Sequence, residues 1–450
     1  MLKSLTACIC ILGVATAFGA GNNGPKLLPA DAPKLDSDKI FYVTGSSNTE
    51  ARFGCPDLPA WTGGENRVPP QCDNGQNVFF RVFEILNDHE NMRWRRLPDS
   101  DWKREGEWKE MRFGIKCSPN RKAMRVLWVS YDPKAAAELK IPAGFEKIDL
   151  IFGEYPNGDT IKVLIDGKAP SENAVVDTVQ TGLVPRPRKD GKPGKYTGVA
   201  DLRKRYKLDP AKAHVFCVEK ATPNPKKPVG LWGAVYWRGN CIQVIQRAKS
   251  SYNVGQLPSR WAKRRFAAHK PDYVLSEAIN IRNSVTEGEG SVKGTLYRGF
   301  NYLVEKQKKQ GYKVMVFTTP QGTSKAFRDH FRKSFTKRME ATKNDASRKF
   351  CQDRIKAVSE ENAAACQKWI ADYCKTANWP LIDAGPYVDA WMKKNPSATF
   401  VPHIFNGWHH PKWHGAALTG QTIYDGITKH WPELPIRSMN MPPPLDYMKN

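Results

Sequence analysis

The texture of the chain changes near residue 241, and that change constrains the fold more than any other feature. From about 51 to 240 the apolar residues come in short aromatic and β-branched runs: Val78 to Phe83, Met124 to Val129, Ile148 to Phe152 and Ile161 to Ile165. Gly, Pro, Asp and Asn separate them at intervals of about ten residues, which predicts a β-sandwich or jelly roll. After 241, strands at Ile242 to Ile245, Tyr273 to Leu275, Tyr312 to Phe317 and Leu381 to Asp383 alternate with helical stretches such as Ser259 to His269 and Gly294 to Gln310. That alternation is the signature of a parallel α/β sheet. Residues 322–376 contain no proline and predict one long helix or two shorter ones. A further strand, Ile40 to Val43, stands ahead of the β-rich stretch.

Composition bounds what these two textures can be. The chain has 450 residues, 40% hydrophobic, 26% charged and 11% aromatic. It is long enough for two ordinary cores and unlike a disordered, collagen-like or coiled-coil chain. Lys and Arg number 70 against 45 Asp and Glu, a net charge of +25 spread from Lys26 to Lys449. Such an excess favours an anionic partner: an acidic or sulfated polysaccharide, a charged cell envelope, or nucleic acid. Charge alone does not choose among them.

The first twenty residues carry one charged side chain, Lys3, then an apolar run from Leu5 to Ala17 and small residues up to Ala20. This is the layout of a secretory signal over 1–20, so the mature protein is expected to be secreted, periplasmic or extracellular. Residues 21–37, rich in Gly, Pro, Asp and Lys, read as a linker. No later stretch approaches the roughly 18 apolar residues of a membrane span. Past the signal stand Cys55, Cys72, Cys117, Cys217, Cys241, Cys351, Cys366 and Cys374, an even set that in an exported chain predicts up to four disulfides. No close Cys-x-x-Cys pair remains among them to hold zinc.

Chemistry is sought where the predicted parallel strands end, because ligands of open α/β sheets collect at the carboxyl edge. Ser47 follows the strand Ile40 to Val43 in Gly45-Ser46-Ser47-Asn48-Thr49. Alone it reads as a turn or cap serine. A serine becomes a nucleophile when a base takes its proton, and histidine is suited to that near neutral pH. His409 and His410 are adjacent in Asn406-Gly407-Trp408-His409-His410-Pro411, just before a predicted helix from about Ala416. Neighbours in a strand or turn point apart, so one of the two would serve. Four of the nine histidines fall between 403 and 414, yet the nearest acid downstream is Asp425, so no metal or other cofactor is assigned. Gly255, in Asn253-Val254-Gly255, and Asn280, in Ala278-Ile279-Asn280, follow two more strands. A glycine N–H and an asparagine amide are the donors an oxyanion hole uses.

Taken in order, these blocks resemble the SGNH, or GDSL-type, hydrolase family. Gly45-Ser46-Ser47-Asn48-Thr49 is similar to its nucleophile block, Asn253-Val254-Gly255 to its second block, and Pro271-Asp272-Tyr273-Val274-Leu275 with Asn280 to its third. Gly311 to Pro320 is similar to the strand that follows, and Asn406-Gly407-Trp408-His409 stands where the family has Asp-x-x-His. The resemblance implies a flavodoxin-like three-layer α/β domain made of 38–50 and 239–450. It further implies an inserted β-sandwich over 51–238, similar to the jelly-roll modules attached to carbohydrate esterases. The implied roles are Ser47 as nucleophile, His409 as base, Asn406 as its orienter, and Gly255 and Asn280 as oxyanion donors. Asn406 departs from the family's aspartate: Asn serves in Cys-His-Asn enzymes, and otherwise His409 is oriented by another acceptor or works with Ser47 as a dyad.

The resulting expectation is a secreted serine esterase or acyltransferase working on the acyl groups, acetyl first among them, of a polysaccharide. The alternative is a catalytically impaired protein of the same fold that binds an anionic glycan or nucleic acid through its basic surface.

Overall fold

The computed structural model describes residues 34–45, 83–85, 92–96, 102–112, 126–155, 157–179, 200–246, 254–257, 266–278, 289–400, 404–406, 410–411 and 413–438. Between Met92 and Trp237 the strands form two antiparallel sheets packed face to face. The first runs Val175–Asp177, Thr160–Ile165, His214–Lys220, Ala136–Ile141, Trp102–Glu105; the second runs Ala200–Lys207, Lys147–Glu154, Val229–Trp237, Val126–Ser130, Lys109–Arg112. Their facing side chains, among them Leu139, Val163 and Phe216 against Leu150, Phe152 and Tyr236, make one buried cluster. His214–Lys220 alternates buried and half-buried residues, as a strand with one covered face should. Val229–Trp237 is buried at every position because the second sheet is covered on both faces. Trp232, Val235 and Trp237 share a cluster with Tyr42, Ile245 and Phe266 of the α/β half.

The α/β half is a five-stranded sheet of β1 (Lys39–Thr44), β2 (Ile242–Gln246), β3 (Tyr273–Glu277), β4 (Lys313–Thr318) and β5 (Leu381–Asp383), in the order β2-β1-β3-β4-β5. Every neighbouring pair is parallel. This is a flavodoxin-like order, and the sheet and sandwich together give the expected fold class. Among the described residues six helices of ten residues or more follow: α1 (Glu289–Gln310), α2 (Lys325–Ala341), α3 (Asp345–Ala357), α4 (Glu360–Thr376), α5 (Gly385–Lys394) and α6 (Trp413–His430). Helices cover both faces of the sheet. Tyr42, Val274, Val314 and Val316 pack on Leu296, Phe300 and Leu303 of α1 and Ile370 of α4, whereas Phe41, Tyr273, Leu275, Met315 and Phe317 face Ile423 and Ile427 of α6. The i, i+4, i+7 spacing of the α1 residues is the stripe that makes this a helix. Gly311, at φ +73°, closes it in the left-handed conformation.

Two sequence expectations are corrected. The proline-free stretch forms three helices, because Asn344 and Ser359 accept hydrogen bonds from Ser347 N and Asn362 N and start α3 and α4 as N-caps. The four-disulfide framework is also not built: among the described residues Cys217, Cys241, Cys351 and Cys374 are free thiols. Cys55, Cys72 and Cys117 lie outside the described residues. Burial pushes the Cys374 thiol up to about 12, and burial with Glu219 beside it pushes Cys217 up to about 11. Of the predicted helix Ser259 to His269, residues 266–269 are described and helical.

A buried polar network joins sandwich and sheet. Asp149 is fully buried and accepts from Arg203 Nε at 2.6 Å, from Arg205 Nε at 2.8 Å and from Gln243 of β2 at 3.5 Å. His269 Nε2 lies 3.1 Å from Asp201 Oδ2 and its Nδ1 3.5 Å from Arg203 Nη1. Arginine only donates, so Nδ1 accepts and Nε2–H donates, which fixes a neutral tautomer.

Candidate active site at the carboxyl edge of the sheet

Because the five strands are parallel, their carboxyl ends form one edge. Thr44 is level with Ser276, Glu277 with Phe317, and Thr318 with Asp383. Ser47 comes three residues after β1, and Asn280 three after the adjacent β3. Both lie outside the described residues, as does His409. Chain connectivity therefore ties Ser47 and Asn280 to neighbouring strand ends.

Gly255 is described and half-buried, in the one-turn helix Val254–Gln256. It is pinned from beside by α1: a Cβ on Gly299 would stand 2.7 Å from Gly255 N. Gly299 is eleven residues from the end of α1, about 16 Å along the helix axis. The end of α1 leads through Gly311 to the amino end of β4, so Gly299 and Gly255 lie toward the carboxyl edge.

Asn406 is the second residue of a short strand, Phe405–Asn406, paired antiparallel with His410–Pro411, so that Asn406 stands opposite His410. This hairpin leads into α6, whose direction is fixed at its other end. Trp431 packs on Phe41 and Tyr273, and Glu433 accepts from the Tyr273 hydroxyl at 2.8 Å and from Lys313 Nζ at 2.6 Å, all at the amino edge. Helix α6 therefore runs antiparallel to the strands and delivers the hairpin to their carboxyl edge. Gly415 seats its start closely against the carbonyl of Ile404. The structure thus carries Gly255 and the Asn406 backbone to one edge of the sheet.

Sequence reasoning missed two described residues there. Glu277, the last residue of β3, is only 3% exposed, and Ser276 beside it is fully buried, its hydroxyl lacking a hydrogen-bond partner among the described residues. A strand of buried apolar residues ending in a carboxylate is the signal in Tyr273-Val274-Leu275-Ser276-Glu277 that pointed to them. The acids around this edge have structural duties. Asp383 accepts from Thr318 Oγ1 at 2.7 Å and Gly385 N at 2.9 Å. Asp389 accepts from Ser324 Oγ at 2.7 Å and Ala326 N at 2.9 Å, holding the start of α2. Asp425 of α6 accepts from the Tyr387 hydroxyl of α5 at 2.7 Å, and burial with that carboxylate pushes Tyr387 up to about 12.

Among the described residues no cluster of three His, Cys, Asp or Glu side chains forms a metal cage. A cavity of about 450 Å³ opens at the opposite, amino edge, between Lys39, Lys270, Asp272, Tyr273 and Lys313. None of the predicted site residues lines it, and Asp36 and Glu433 pair with Lys39 and Lys313 there.

No protein-family model matches the sequence, and no curated protein matches it. Among solved structures it is similar to an acetyl xylan esterase, with 15% identity, 41% of this chain and 81% of that one covered, and a TM-score of 0.29. It is also similar to YxiM of Bacillus subtilis, at 10% identity over 88% of this chain and 98% of that one, with a TM-score of 0.32. A family two carbohydrate esterase from Cellvibrio japonicus gives 9%, 76%, 99% and 0.28 for the same quantities. Among the described residues no helix is long and apolar enough to cross a membrane.

Proposed function

We propose that this protein is an exported serine esterase, or acyltransferase, acting on an acylated polysaccharide, with the sandwich inserted between the first two strands of its hydrolase domain. The observation that carries the reading is the shared carboxyl edge. β1 and β3 end side by side at that edge, and the Gly255 turn and the hairpin ahead of α6 lie toward it. Those four segments carry, or lead directly into, the residues the sequence singled out.

In this reading Ser47 Oγ attacks the ester carbonyl while His409 takes its proton. The Ser47 and Gly255 N–H groups and the Asn280 amide hold the oxyanion of the tetrahedral intermediate. Collapse breaks the ester C–O bond, and the imidazolium returns the proton to the leaving sugar oxygen. Water, activated by the same histidine, then frees the acyl group; a sugar hydroxyl in its place gives transfer.

Hydrolysis of p-nitrophenyl acetate by the mature protein, beside Ser47→Ala and His409→Ala, tests this. Activity abolished in both supports the assignment. Activity indifferent to both changes contradicts it. The binding alternative draws on the α2–α3 hairpin, where eleven Lys and Arg stand against four Asp and Glu over 325–357. Passage through heparin and DNA columns without retention at physiological salt removes that support.

A further inference from the structure

We propose that the α2–α3 hairpin is the surface on which the hydrolase domain grips its substrate, and that this substrate is a polyanionic polysaccharide carrying carboxylate or sulfate groups along its length; this rests on the esterase reading above. The hairpin is anchored at the carboxyl edge. β4 ends at Thr318, level with Asp383 of β5, and α2 starts shortly afterwards at Lys325. Its start is locked to the junction between β5 and α5. Ser324 Oγ donates to Asp389 Oδ1 at 2.7 Å, the Lys325 N–H donates to Asp389 Oδ2 at 2.8 Å, and a Cβ on Gly385 would stand 2.6 Å from the Thr323 carbonyl carbon. Phe327, Phe331 and Phe335 of α2 and Cys351 of α3 share one buried cluster with Ile404, the residue before the strand Phe405–Asn406. The hairpin is therefore fixed to the edge that the proposed chemistry uses.

Charge gives this placement its meaning. Over 325–357 eleven Lys and Arg stand against four Asp and Glu, an excess of seven within the chain's +25. The next helix, α4, has no such excess, with Lys368 and Lys375 against Glu360, Glu361 and Asp372. Lys325 and Arg332 meet Asp329 at 2.6 and 3.8 Å. Lys333, Lys337, Lys349 and Lys356 are exposed and hold no ion pair among the described residues. Lys333 and Lys337 each follow a buried phenylalanine by two residues, about 200° round the helix, and so stand away from the core. From Lys325 to Lys337 the helix presents cations over about 18 Å, a span that a chain of repeated anionic groups can follow and one small anion cannot. At the amino edge, by contrast, Asp36 and Glu433 neutralise Lys39 and Lys313. Phe350 of α3 is 39% exposed, with the guanidiniums of Arg354 and Arg338 4.7 and 5.9 Å from its ring centre. An exposed ring beside guanidiniums matches a charged sugar, whose C–H face packs on aromatic surface while its anionic group meets a guanidinium.

The test titrates polygalacturonate, dextran sulfate, neutral dextran and duplex DNA into the mature protein at rising salt, and separately measures acetate release from acetylated polygalacturonate. The parent is compared with Lys333→Gln/Lys337→Gln/Lys349→Gln/Lys356→Gln and with a control of equal net charge on exposed sandwich positions, Lys134→Gln/Lys140→Gln/Lys168→Gln/Lys226→Gln. Glutamine matches lysine in helix propensity, so the hairpin keeps its shape. The parent is expected to bind an anionic glycan and not neutral dextran, with affinity falling as salt rises. The hairpin variant should bind about tenfold or more weakly with a shallower salt dependence, and the control should stay within about threefold of the parent. Preference for polygalacturonate or for dextran sulfate identifies the anionic group. Binding of neither glycan, an equal loss in both variants, or tighter binding of DNA than of either glycan overturns the proposal. A parent that binds through the hairpin and releases no acetate upholds the surface while refuting the esterase. An active parent whose hairpin variant binds and releases acetate unchanged refutes the surface alone.

Discussion

The backbone nitrogen of Gly255 lies where a side chain on Gly299 would begin: a Cβ on Gly299 would be 2.7 Å from it. One glycine on the longest helix therefore sets the position of the proposed oxyanion donor on the turn beside it.

Gly299→Ala is expected to displace the 254–256 turn, costing about 1–3 kcal/mol of stability through overpacking. Misaligning one oxyanion donor should also lower kcat by about 10²-fold or more. Gly311→Ala is the control: its φ of +73° makes alanine unfavourable, but it lies at the amino edge and should leave kcat unchanged. Thermal melts and p-nitrophenyl acetate kinetics on both variants read the two effects.

Asp149→Asn is expected to destabilise by about 3–5 kcal/mol, because it leaves Arg203 buried without its counter-charge. Burial raises the Asp149 carboxyl, and the Arg203 and Arg205 guanidiniums outweigh it, so its pKa lies below the usual value of 3.8. A lowered folded pKa means that this stabilisation is present above about pH 4 and is lost as pH falls through the folded value. Urea denaturation of the parent should show a full, pH-independent contribution from this group between about pH 5 and 8 and a declining one below about pH 4. The Asn variant should lack that acid-side decline.

Native thiol titration with a disulfide reagent is expected to be slow at Cys217, Cys241, Cys351 and Cys374 and complete on unfolding. Cys241, Cys351 and Cys374 are buried, and Cys217, although half-buried, is protonated at neutral pH because burial and Glu219 raise it to about 11. A fast native phase that mapping assigns to Cys217 contradicts this.

Much of the architecture was legible because periodicity reports burial. The strands at 242–246, 313–318 and 381–383 read as apolar runs since both faces of a parallel sheet are covered. The same rule hid the true environment of Val229–Trp237: its unbroken burial comes from packing on the α/β half, a long-range event that no local pattern reveals. The breaks in 322–376 were written in Asn344 and Ser359, but caps inside a proline-free, helix-favouring stretch are easily read through. The cysteines misled because an even count says nothing about distance: among the described residues Cys217, Cys241, Cys351 and Cys374 are free thiols. Around the carboxyl edge, Gly255 and Asn406 were picked out by the sequence blocks, whereas the burial of Glu277 is set by long-range packing that those blocks do not show.

The central claim, that Ser47 is an activated nucleophile, is tested most directly with a fluorophosphonate probe, which reacts covalently only with a serine whose proton a neighbouring base removes. Peptide mapping of the labelled mature protein is expected to place the adduct on Ser47, with labelling abolished in Ser47→Ala and greatly slowed in His409→Ala. Labelling at another residue, or an active protein that takes no label, would contradict the account.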